Sequence, residues 1–122
     1  MSVLATVLVA LVAIEHVYIL WLEMFLWSTP RGLKAFGMTR AQADATAVLA
    51  GNQGLYNGFL AAGLFWSLLV RPELAYSLQV FFLGCVTVAG VYGGLTANPK
   101  ILRVQALPAA VALLTVWWAC PT

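Results

Sequence analysis

The run "AIEHVYILWLEMFLW", residues 13–27, constrains this chain more than any other stretch. It ends an apolar segment that begins near residue 3, and about 20 such residues suffice to cross a bilayer. Lipid offers no partner to a backbone N–H or C=O, so a run of this kind must be helical. Yet the run carries Glu15, His16 and Glu23, which are among the costliest side chains to place in hydrocarbon. Three ionisable groups in such a helix require a protected face, and hence neighbouring helices.

The rest of the chain can supply them. Of the 122 residues, 63% are hydrophobic and 8% charged, where a soluble domain has about 25% charged. The length suits one domain, spanning residues 1–122, and roughly four crossings. No Lys or Arg precedes the first apolar run, which is longer than the 7–15-residue core of a signal peptide, so a retained helix is expected. Breakers and caps place helices at about 3–27, 40–70, 75–96 and 101–119. Pro30, Gly32 and Gly37 break the chain after the first. Thr39 is a candidate N-cap for the second. Pro108 should bend the fourth. The expected fold is all-α, an integral membrane four-helix bundle with short loops. The net charge of +2 is too small to indicate a nucleic-acid partner. Cys85 and Cys120 form no C-x-x-C pair, and each reads as a small buried residue rather than a redox or thiolate site.

Lys and Arg set orientation. Arg31, Lys34 and Arg40 lie around the first connection, Lys100 and Arg103 around the third, and only Arg71 at the second. With four crossings, connections one and three share a side. That side should be cytoplasmic and both termini should face outward.

At about 100° per residue, Glu15, His16 and Glu23 fall within one arc of roughly 100° on the first helix. On the second, Asn52, Gln53, Tyr56 and Asn57 cluster beside a row of Gly54, Gly58 and Ala62, a pattern that lets helices approach closely. Matching depth by the helical rise puts Glu23, Asn52, Gln53, Gln105 and Tyr92 in one layer of the cytoplasmic half. Glu15, His16 and Asn57 sit deeper, and Gln79 and Ser77 near the outer side. A polar pocket floored by Glu15 and His16 is expected. Asn and Gln also tie membrane helices together without further role, whereas an acid within the membrane is functional by default.

"VALVAIEHVYILWLEMFLWSTPRGLKAFGMT" and "AGNQGLYNGFLAAGL" carry three motifs: E-H-x-x-x-x-x-x-E-M, W-x-T-P-x-G and N-Q-G-x-Y-N-G. In these the chain resembles the DUF1304 family of small bacterial membrane proteins. The resemblance implies a four-helix protein of the inner membrane and supplies no substrate. Its signature positions fall on Glu15, His16, Glu23, Pro30, Asn52, Gln53, Tyr56 and Asn57.

The leading expectation is a protein that binds or transports a small polar or cationic ligand, with the acids suited to proton coupling. Transporters commonly need two repeats, so four helices would require a homodimer. An alternative is an isomerase-like enzyme moving a proton within an apolar substrate, which rests on analogy alone. A structural accessory subunit is a third. No metal or other cofactor is expected. Residues 15 and 16 point about 100° apart, there is no i, i+4 His pair, and the chain has one His.

Overall fold

The computed structural model describes residues 2–119, and among them all regular secondary structure is helical. α1 is Val3–Phe25, α2 Pro30–Phe36, α3 Arg40–Ser67 and α4 Pro72–Thr96. A π-helical turn, Leu102–Ala106, then leads into α5, Leu107–Trp118.

α2 corrects the expectation of a plain broken connection. Pro30 takes the first helical position, where its missing N–H costs nothing. Thr29 caps the turn, its Oγ1 accepting the Gly32 N–H at 3.4 Å. Gly37 closes it with φ +62°, and the Met38 N–H returns to the Leu33 carbonyl at 3.1 Å. The breakers thus delimit a helix. Proline makes a similar correction at α4, which begins at Pro72 rather than near residue 75. Pro72 again starts the helix, with Glu73 in the first turn, where the dipole favours an acid. Thr39 does cap α3. Its Oγ1 accepts the Gln42 N–H at 3.1 Å and the Gln42 side chain accepts the Thr39 N–H at 3.0 Å, a reciprocal capping box.

The chain packs as two compact units. Ile14–Ala61 forms one, and the described residues on either side form the other. In the latter, α4 buries Ala75, Gln79, Leu83, Val86, Gly90 and Gly94, a stripe at steps of three and four. α5 answers with Ala109, Ala112 and Val116. Small side chains let these helices close on each other. A Cβ on Gly90 would lie 2.6 Å from the Ala106 nitrogen, and one on Gly94 would lie 2.3 Å from Leu102 Cγ. The bend expected from Pro108 is a π turn just before it. The Leu107 N–H reaches back to the Leu102 carbonyl, and the wider turn accommodates a proline that offers Val104 no N–H.

Among the described residues two helices are long and apolar enough to cross a membrane, α1 and α4, with mean hydropathies of 2.3 and 1.8. At 1.5 Å per residue each exceeds a hydrocarbon core of about 30 Å. α3 has the length, with 28 residues, but Arg40, Asp44, Asn52, Gln53 and Asn57 dilute its apolar character. Leu102–Trp118 is apolar but shorter.

Candidate functional site

Within Ile14–Ala61, α1 brings His16 and Glu23 onto one face. They are seven residues apart, or two turns and about 10 Å along the axis. His16 is fully buried and Glu23 is 7% exposed. α3 meets this part of α1 with its glycines. A Cβ on Gly54 would lie 2.6 Å from Met24 Cγ and 3.1 Å from Glu23 Cβ, and one on Gly58 would lie 2.6 Å from Leu20 Cδ1. The row from Gly54 to Gly58 is therefore an internal contact of this unit. Its expected third member, Ala62, is exposed, while Ala61 is buried.

That approach sets Asn57 beside Glu23. The Asn57 Nδ2 donates to Glu23 Oε1, with both residues buried. Glu15 lies on the flank of α1, half-buried, its Oε1 3.9 Å from His16 Nδ1. That oxygen is buried and accepts no hydrogen bond. Acid, amide, imidazole and a second acid thus occupy a two-turn stretch of α1 and the α3 segment against it. Among the described residues no group of three or more His, Cys, Asp or Glu side chains is placed to hold a metal ion.

The other expected site residues are placed differently. Asn52, Gln53 and Tyr56 are exposed, which corrects the inward polar stripe. The buried face of α3 runs through Ala43, Ala50, Gly54, Asn57 and Ala61. At about 100° per residue Asn52 falls opposite it, Tyr56 well round the helix and Gln53 on its edge. The side that fits α1 is the glycine side, and of the four polar residues only Asn57 belongs to it. Tyr56 instead stands beside Phe59, with ring centroids 6.1 Å apart. Tyr92 and Gln105 belong to the other unit. Tyr92 is 70% exposed on an open apolar groove of α4 lined by Phe81, Gly84, Cys85 and Val88. Gln105 is half-buried in the π turn. The single cytoplasmic-side layer of Glu23, Asn52, Gln53, Tyr92 and Gln105 is therefore not a buried one. Cys120 lies outside the described residues.

Gln79 was placed apart from the site by sequence, yet it is fully buried. Its Nε2 donates to Ser67 Oγ at 3.2 Å, and Ser67 spends its own proton on the Leu64 carbonyl. A lone Gln in the apolar run of α4 was the available signal. Ser77, by contrast, is exposed and bonds back to the Glu73 carbonyl.

Among the described residues the regular structure is helical, two helices have membrane-spanning length, and an acid–amide pair is buried near the end of one of them. Residues 10–117 match the model described as "Protein of unknown function (DUF1304)", and the chain belongs to that family. It is similar to "Uncharacterized protein YpaA" of Lactococcus lactis subsp. lactis (strain IL1403), 32% identical over 117 residues that cover 94% of this chain and 98% of the relative. No solved structure matches the chain.

Proposed function

We propose that this chain is a multi-pass protein of the bacterial inner membrane, with four crossings and outward termini, that binds a small cationic or polar ligand at Glu23 and carries it as a homodimer with proton coupling. One observation carries the reading: a carboxylate that is 7% exposed sits in a helix of membrane-spanning length and hydropathy. Burying such a group in lipid is costly, and its retention calls for a use. Glu23 has a hydrogen bond from one neutral donor, Asn57. That leaves acceptor capacity on its carboxyl group, and Glu15 adds an oxygen without a donor two turns away. Both favour a cation or an N–H donor as ligand. The charge bias of connections one and three supports the orientation, and four helices call for a second copy if the ligand is to be moved.

The Glu23–Asn57 pair itself favours a second reading, a structural tie between α1 and α3. The two separate by substitution. Purified protein would be screened by thermal shift against sodium, magnesium, guanidinium, ethanolamine and choline. Under the binding reading at least one stabilises the parent, and Glu23→Gln folds at a similar melting temperature but loses that shift. If no cation stabilises the parent, or if Glu23→Gln responds as the parent does, the pair is a tie and the binding reading fails.

A further inference from the structure

The first connection holds the densest positive charge of the chain. Arg31, Lys34 and Arg40 fall within ten residues, and no Asp or Glu lies between Glu23 and Asp44. Arg40 is paired with Asp44 at 3.3 Å. Arg31 and Lys34 form no ion pair among the described residues. Both belong to α2, and α2 is divided cleanly. At about 100° per residue, Pro30, Arg31 and Lys34 share one arc of roughly 100°, and all three are exposed. Gly32 is buried, and Leu33, Ala35 and Phe36 are half-buried on the other side.

The back of α2 is fastened to the end of α1. A Cβ on Gly32 would lie 2.1 Å from the Leu26 carbonyl oxygen, so the two backbones touch. The Phe36 ring lies 4.7 Å from that of Trp27, and Trp27 Nε1 donates to Thr46 Oγ1 at 3.1 Å. Thr29 and Gly37 fix the two ends. The basic face is thus rigid, and a ligand binding there orders little backbone. α2 follows directly on the apolar α1, with Trp27 between them, as in the aromatic belt at a membrane surface.

We propose that the exposed face of α2, through Arg31 and Lys34, binds the anionic phospholipid headgroups of the leaflet where the first connection emerges. Phosphate esters complement an acid-free basic face, and Lys and Arg beside an anionic leaflet are held there electrostatically. The proposal rests on α1 crossing the membrane, as the preceding reading has it.

The test titrates the detergent-purified full chain with phosphatidylglycerol and separately with phosphatidylcholine, and counts bound lipid by native mass spectrometry. The parent should retain phosphatidylglycerol in preference. Arg31→Gln with Lys34→Gln should lower its affinity by roughly 25-fold, the product of about fivefold for each basic side chain. Arg71→Gln, which removes a charge at another connection, should leave it unchanged. Arg31→Lys with Lys34→Arg keeps the charge and should keep the lipid. The proposal is overturned if the parent shows no preference, if Arg71→Gln weakens binding as much as Lys34→Gln alone, if the charge-keeping variant loses the lipid, or if inorganic phosphate displaces it. A chain that stays monodisperse in buffer without detergent would instead defeat the membrane reading, and that result is visible before any lipid is added.

Discussion

Asn57 on α3 donates its side-chain N–H to the Glu23 carboxylate on α1, across 34 positions of sequence, with both groups buried. The glycine one turn before Asn57 makes this possible. Gly54 lets α3 approach until only a hydrogen atom fits between it and Met24 or Glu23. Close backbone contact and the acid–amide bond are thus two aspects of one packing arrangement.

Removing the donor should cost more than removing the pair. Asn57→Leu leaves a buried acid without its hydrogen bond, a loss of about 1–3 kcal/mol. Glu23→Gln keeps an acceptor and should cost less. Glu23→Leu combined with Asn57→Leu should recover part of the loss, with a coupling of about 0.6–1.7 kcal/mol, the range seen between membrane helices. Unfolding in detergent of the parent, the Glu23→Leu and Asn57→Leu single variants, their double variant and Glu23→Gln measures this. Strictly additive single losses would show that the bond contributes nothing.

The glycines of α3 should respond in opposite directions. A Cβ on Gly51 meets nothing within 4 Å, so Gly51→Ala should stabilise by about 0.5–1 kcal/mol through backbone entropy. Gly54→Ala collides with Met24 and crowds Glu23 and should destabilise by about 1–3 kcal/mol. Gly58→Leu would drive into Leu20, so the loss should appear as unfolding of the protomer and not only as dissociation of an oligomer. Melting temperature and solution mass, measured together, distinguish these outcomes. A folded but dissociated Gly58→Leu protein would contradict the internal contact.

On α4, Gly90 and Gly93 form a matched pair. The Gly90 contact is with backbone atoms of Ala106, which cannot rotate away, whereas a Cβ on Gly93 would sit 3.4 Å from Ile101 side-chain atoms. Gly90→Ala should therefore cost about 1–3 kcal/mol, with faster hydrogen exchange in the π turn. Gly93→Ala should be neutral or slightly stabilising. Equal melting temperatures for the two variants would mean that the π turn does not depend on the absence of a side chain at residue 90.

Orientation can be read directly. A reporter active only in the cytoplasm should give a strong signal when inserted within residues 31–40 and none when fused at the C-terminus. A signal at the C-terminus would rule out four crossings with connections one and three inside.

Sequence alone determined those features that depend on local chemistry. α1 and α4 are visible as apolar runs because lipid-length hydrophobicity is a property of neighbours along the chain. The cap at Thr39 is visible because Thr39 and Gln42 satisfy each other three residues apart. Glu23 stands out in sequence because an acid in such a run is costly to leave without a partner, and the fold gives it Asn57. Tertiary structure decided which side of each helix turns inward. α3 offers a polar arc through Asn52, Gln53 and Tyr56 and a glycine arc through Gly54, and polarity alone favours the first. The inward side of α3 follows close fit rather than polarity, because only the glycine arc lets the α1 side chains approach its backbone. The glycine arc closes on Leu20 and Met24, and only Asn57 goes in with it. The same cause hid α2 and the π turn. Gly32 and Gly90 mark places where another backbone passes within contact distance, and only the folded chain shows which backbone that is.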